Sequence, residues 1–186
     1  MNEVYKNLLI QKDKKIQEYE KEIIKLKKEL KYYKTLSYFD TLTNLYNRRI
    51  LSETDDFDNI ILGDIDYFKV INDTYGHDIG DEVLVEISNF LKSIVNSDDI
   101  VCRWGGEEFL ILLKNCTQDE AFNKANQIKQ SLIILKSRFG FNVTMSFGVS
   151  SIHDNNIEYA IKNADKAMYE SKEKGRNKIT VYSLKK

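Results

Sequence analysis

The stretch Arg103-Trp104-Gly105-Gly106-Glu107-Glu108-Phe109 constrains the fold more than any other part of this chain. Apolar runs enclose it, Ile100-Val101-Cys102 before and Phe109 to Leu113 after. Two such runs joined through a glycine pair predict a β-hairpin, the glycines supplying the positive φ angles of a tight turn. Two adjacent carboxylates then occupy its tip, open to a hard divalent cation or a phosphate-bearing substrate. Alone, the four residues would read as a surface turn with solvated acids. Three other segments decide against that reading.

The first runs from Asp64 to Asp81 and follows the apolar Ile60-Ile61-Leu62. That run predicts a buried strand ending in carboxylates, and residues two apart on a strand share a face, so Asp64 and Asp66 point the same way. Two carboxylates at a strand end, followed by a loop and a helix, suit magnesium and phosphate. Backbone amides of the Tyr67-Phe68-Lys69 turn can cradle phosphate oxygens, with Lys69 as a point charge. Asn72 and Asp81 offer the donor and acceptors that read the Watson–Crick edge of guanine. The plainer reading makes Asp78 and Asp81 caps ahead of the amphipathic run Val83, Ile87, Phe90, Leu91, Ile94. Capping leaves Asp64, Asp66, Lys69 and Asn72 unexplained as a group. His77 reads as a structural hydrogen-bonding residue beside this set.

The second segment, Asp40 to Arg49, predicts a capped helix start, with Asp40 or Thr41 as N-cap and Leu42, Leu45 and Ile50 facing inward. Packing is the favoured role for Arg48 and Arg49. The third, Ala164 to Asn177, continues a helical stripe of Ile157, Ile161, Ala164 and Met168 and ends at Gly175, where a C-terminal cap belongs. Lys172 and Arg176 stand one helical turn apart and can share a face toward a triphosphate. Cations near a helix C-terminus are also favoured by the helix dipole alone.

Together the four segments resemble the GGDEF family, whose members condense two GTP into cyclic di-GMP. Residues 40–49 match its D-x-L-T-x-L-x-N-R-R opening, and 164–177 its closing A-D-x-A-M-Y-x-x-K-x-x-G-R-N. The glycine pair with two glutamates is its GGEEF variant, and the 43-residue step from Asp64 to Glu107 is preserved. The resemblance covers residues 37–186. It implies a fold of class α+β, a mainly antiparallel sheet flanked by helices, as in nucleotidyl cyclases and polymerase palms. It implies a diguanylate cyclase with two Mg2+ (or Mn2+) per half-site, held by Asp64, the Ile65 carbonyl, Glu107 and Glu108. Glu107 is also the implied acceptor of the hydroxyl proton. Asn72, Asp81, Tyr67, Phe68, Lys69, His77, Lys172 and Arg176 are the implied GTP-binding set. Each domain would bind one GTP, so catalysis needs a homodimer. One departure stands out: the family's R-x-x-D product-inhibition site reads Asn96-Ser97-Asp98-Asp99 here. An amide cannot supply arginine's bidentate cationic fork, so feedback through Asn96 and Asp99 is expected to be weak or absent.

Residues 1–36 differ in kind from the rest. They contain ten lysines, six acids and no glycine. Tyr5, Leu9, Ile16, Tyr19, Ile23, Leu26, Leu30 and Tyr33 recur at spacings of three and four, broken only at Lys12. That narrow stripe predicts a parallel dimeric coiled coil rather than a helix docked on its own domain. The domain boundaries expected are therefore 1–36 and 37–186. A net charge of −1 gives no electrostatic case for nucleic acid. Two cysteines make no disulfide framework and fit the cytoplasm, and no run reaches membrane-spanning length. Elsewhere, Thr117 to Glu120 has capping-box form and opens a helix carrying Phe122, Ala125, Ile128 and Leu132. Val143 to Val149 alternate as a half-buried strand, and Ile179 to Tyr182 supply a last one. The main rival to the cyclase is a non-catalytic sensor of GTP or cyclic di-GMP. Such degenerate domains lose the acidic hairpin or the metal aspartate, and both are present.

Overall fold

The computed structural model describes residues 3–54 and 56–183. Residues 1, 2 and 184–186, the outer ends of the two expected segments, lie outside the described residues. The chain separates into two compact units, Met1–Tyr38 and Phe39–Lys186. The first consists of one helix, α1 (Glu3–Ser37). Without glycine or proline nothing interrupts its hydrogen-bond ladder. The coiled-coil stripe is uncovered, every named residue of it being at least 42% exposed.

The second unit is a six-stranded sheet with helices against it. Its strands are β1 (Tyr46–Asn47), β2 (Asn59–Ile65), β3 (Ile100–Arg103), β4 (Glu108–Leu113), β5 (Met145–Ser151) and β6 (Ile179–Val181), in the order β1-β3-β4-β2-β5-β6. The four inner strands are antiparallel and the two edge pairings parallel. Helices α2 (Phe68–Tyr75), α3 (His77–Ile94), α4 (Gln118–Ser131), α5 (Leu135–Phe139) and α6 (Ile157–Glu173) complete the unit. The predicted capping box opens α4: Thr117 and Glu120 bond each other's backbone N–H. Phe122 of that helix is exposed, and Ala121 takes the inward place beside Ala125 and Ile128.

Strand parity divides the interior. The odd positions Ile61, Ile65, Phe109, Ile111, Leu113, Met145, Phe147 and Val149 join Val83, Leu84, Ile87 and Leu91 of α3 in one core. The even positions face α6. Sequence alternation predicts a half-buried β5, yet its first six residues are all buried. The reason is Gly148. A Cβ there would lie 2.5 Å from Met168 N and closer still to the Ala164 carbonyl, so only glycine lets α6 lie on this strand. Ser171 of α6 then donates to the Phe147 carbonyl (2.8 Å).

The segment 40–49 is not a helix start. It is a turn, the short β1 and a 3-10 helix at Arg48–Glu53 capped by Asn47. Asp40 accepts from Thr43 N (2.9 Å) and Oγ1 (2.7 Å), closing the turn on itself. Leu45 and Ile50 are buried as expected, whereas Arg48 and Arg49 are exposed rather than packed. Burial pushes the Cys102 thiol up to about 12, with the Asp40 charge adding to it, which makes it an inert core residue.

Candidate active site

The hairpin between β3 and β4 carries the two glutamates. Trp104 N (2.8 Å) and Gly105 N (3.3 Å) both donate to the Glu108 carbonyl. Arg103 wraps the tip, giving Nη2 (2.7 Å) and Nε (3.2 Å) to the Gly106 carbonyl and Nη1 to Asp40 (3.0 Å). Burial acts upward on Asp40, but the bonds from Thr43 and Arg103 outweigh it and hold the carboxyl below its ordinary value. The glycines do not serve the turn through positive φ, which neither adopts. Gly105 instead makes space: a Cβ would stand 2.8 Å from Glu108 Oε2. Gly106 has nothing within 4 Å of that position.

Register places the acids together. Asp64, last but one in β2, is the cross-strand partner of Glu108, and Ile65 N donates to the Glu107 carbonyl (3.2 Å). Lys172, near the end of α6, reaches Asp64 at 2.9 Å. Burial pushes the Asp64 carboxyl up, partly offset by Lys172. Burial also raises Glu107 and Glu108, and the charge of Asp64 raises both further. Three partly to fully buried carboxylates, with Lys172 and the charge of Arg176 offsetting Asp64 only in part, leave a negative surplus. Among the described residues no three acidic, histidine or cysteine side chains already form a ready cage. The donor set is nevertheless all hard oxygen, which suits magnesium.

Asp66 shares the face of Asp64 but not its role. Its carboxylate accepts from Ser146 Oγ (2.6 Å), Thr144 Oγ1 (2.7 Å) and Asn177 N (3.0 Å). The strand-end pair read from alternation is therefore one carboxylate paired with Lys172 and one committed to hydroxyl and backbone donors.

Tyr67 has φ 57 and turns the chain into α2, which has no side-chain N-cap. The N–H groups of Phe68 and Lys69 precede Val70, whose N–H turns back to the Tyr67 carbonyl (2.8 Å). A bare helix start of this kind accepts phosphate oxygens. Lys69 and the Tyr67 ring are exposed beside it. Arg176 arrives by a different route from the one expected. Helix α6 stops at Glu173, so Arg176 shares no helical face with Lys172. It lies in a left-handed turn, its guanidinium 4.5 Å from the Tyr67 ring centre and its Nη1 3.3 Å from Tyr67 Oη.

Asn72 packs on α3 at Gly80, where a Cβ would collide with its Oδ1. Asp81 follows directly and lines an open cavity with Leu42, Asp78, Glu82, Val85 and Arg138. Neither Asp78 nor Asp81 caps α3, because Gly76 at φ 87 takes that position without a side-chain bond. His77 is exposed at the first residue of α3. Residues missed in the sequence are Gly80, Gly148, Arg103 and Arg138, the last paired with Glu86 at 2.9 Å. The two glycines carried a signal, since glycine inside a helix or strand pattern marks close approach.

The variant product-site segment is internally satisfied. Asp99 accepts from Lys124 Nζ (2.7 Å), Asn96 N (2.9 Å) and Lys114 N (3.1 Å).

The profile of the family described as "Diguanylate cyclase, GGDEF domain" matches residues 37–178. Diguanylate cyclase A of Treponema denticola is 40% identical over 158 residues, covering 81% of this chain and 42% of that protein. The chain thus spans less than half of that relative. Among solved structures, the active GGEEF domain of a diguanylate cyclase from Vibrio cholerae superposes with a TM-score of 0.69 at 31% identity, over 76% of this chain and 99% of that one. The coiled coil and GGDEF domain of DgcB from Caulobacter crescentus, at 24% identity and a TM-score of 0.73, covers 91% of this chain and 98% of that one, a likeness of fold.

Proposed function

Because this chain belongs to the GGDEF family of diguanylate cyclase domains, we propose that it condenses two GTP into cyclic di-GMP and two pyrophosphates as a homodimer. The observation that carries this is the register pairing of Asp64 with Glu108, with Lys172 closed on Asp64 and the bare start of α2 a few residues along the chain.

Each half-site binds one GTP. Asp81 accepts from the N1 and N2 donors of guanine, which adenine lacks, and Asn72 is held by Gly80 to complete the edge. The amides of Phe68 and Lys69 bind phosphate oxygens, with Lys69 and Arg176 adding charge. Lys172 releases Asp64 and turns to the triphosphate tail. Asp64, the Ile65 carbonyl, Glu107 and Glu108 would hold Mg2+ or Mn2+, two per half-site. Bound there, such a metal would supply Lewis-acid chemistry, lowering the pKa of the attacking 3′-hydroxyl and offsetting the charge of the leaving pyrophosphate. Glu107 receives the hydroxyl proton. Pairing of α1 with a second copy brings the two half-sites together by raising their effective concentration. Among the described residues no helix is long and apolar enough to cross a membrane, and we place the protein in the reducing cytoplasm.

The test is incubation of purified protein with GTP and magnesium, with products separated by chromatography. Cyclic di-GMP is expected, and Asp64→Asn should abolish it while the circular dichroism spectrum stays native. No product at any protein concentration would overturn the cyclase reading in favour of a sensor.

A further inference from the structure

We propose that Asp66 is a positioning residue that fixes Arg176 for the triphosphate tail by fastening both ends of the Tyr67–Arg176 contact. This rests on the GTP-binding reading above.

Asp66 is buried at 5% exposure, and its carboxylate accepts three hydrogen bonds from protein donors. Its own N–H donates to the Thr144 carbonyl (2.9 Å). A buried carboxylate so satisfied stays a fixed point of the structure. Two exits lead from it. Along the backbone the next residue is Tyr67, at φ 57. Through the side chain, the bond from Asn177 N reaches the turn Gly175-Arg176-Asn177, whose φ values are 103, 60 and 50.

Three successive residues in the left-handed region are disfavoured for L-amino acids other than glycine. Such a turn persists only where the surroundings determine it. Arg176 N bonds the Ser171 carbonyl (3.1 Å) and Gly175 N the Lys172 carbonyl (3.2 Å), which fixes the turn on its α6 side. On the far side the Asp66 carboxylate holds Asn177, and Phe147 N holds the Lys178 carbonyl (2.8 Å). Arg176 stands between these anchors, over the ring of Tyr67 and beside the start of α2. One carboxylate therefore sets where the ring stands and where the guanidinium meets it. Its role is to hold Arg176, not to touch the nucleotide.

The test compares the intact chain and its variants by calorimetry with magnesium, using 3′-deoxy-GTP and GDP. The deoxy analogue lacks the attacking hydroxyl, so it binds without condensing. Asp66→Asn keeps the size of the side chain but cannot accept from all three donors. It should lower the preference for triphosphate over diphosphate about tenfold, the size of one charge-assisted contact. Arg176→Ala should do the same, and the double variant should be no worse than Arg176→Ala alone. Asn177→Gly keeps the N–H and the left-handed geometry and should keep the preference, whereas Asn177→Val should lose it. The Asn177 pair carries the test if Asp66→Asn fails to fold. Equal weakening toward both nucleotides in Asp66→Asn, or multiplying losses in the double variant, overturns the proposal. An unaltered chain without any triphosphate preference overturns the reading beneath it as well.

Discussion

Gly148→Ala probes the link between fold and site most directly. The added Cβ would stand 2.5 Å from Met168 N and nearer still to the Ala164 carbonyl oxygen. Both obstacles are helix backbone, so no rotamer change relieves them. Ordinary contact begins at 3.4 Å, so α6 must withdraw by about 1 Å or more. Overpacking of this kind costs roughly 1–3 kcal/mol, and a rigid backbone obstacle puts the expected loss toward the upper end. The same movement reaches the chemistry, because Lys172 lies one helical turn beyond Met168 and closes on Asp64 at 2.9 Å. A 1 Å misplacement can cost on the order of 100-fold in rate. Urea denaturation should therefore show a stability loss of roughly 2–3 kcal/mol, and turnover at saturating GTP should fall by about two orders of magnitude. Gly106→Ala is the stability control, since nothing lies within 4 Å of its added Cβ. Stability within about 0.5 kcal/mol of the unaltered protein, with unchanged turnover, would show that α6 does not rest on β5 at this glycine.

Removing residues 1–36 should lower specific activity in dilute protein while leaving nucleotide affinity intact; equal activity of both chains across a dilution series would refute the role given to α1. The stability advantage of unaltered protein over Asp40→Asn should depend on pH. The folded carboxyl lies below its ordinary 3.8, so the advantage is present above that value and disappears as pH falls through the lowered one. Paired denaturation curves across the acid range check this, and a pH-independent difference would count against the bonds that Thr43 and Arg103 give to Asp40. Asn96→Arg alone should not restore feedback inhibition, because Lys124 and two backbone N–H groups already hold Asp99. Turnover measured against added cyclic di-GMP would refute this if the single variant became strongly inhibited.

The parts of the site visible in the sequence were those whose meaning is local. The acidic hairpin, the strand end at Asp64 and the helix bearing Lys172 all follow from short periodicities and turn residues. What failed depended on partners far along the chain. Asp40 looks like a helix cap because it precedes Thr41 and Leu42, yet the Thr43 bonds it accepts close a turn that leads into β1, and Arg103, 63 positions on, shares the same carboxylate. Asp66 looks like a second metal aspartate because alternation puts it on the face of Asp64. Which of the two meets Lys172 and which meets Thr144 and Ser146 depends on the register of β2 against β5.

Small residues misled for a related reason. Ser146, Gly148 and Ser150 alternate with Met145, Phe147 and Val149, and polarity alone marks them as the solvent face of a half-buried strand. Size is the property that matters there. A helix backbone can approach a strand closely only where side chains are absent or short, and the hydroxyls must then find buried acceptors. Ser146 Oγ finds Asp66 at 2.6 Å, and Ser171 Oγ, opposite, finds the Phe147 carbonyl at 2.8 Å. The close seat of α6 and the commitment of Asp66 are thus one arrangement. The short residues that admit the helix also supply a donor that binds Asp66, while Asp64 faces Lys172.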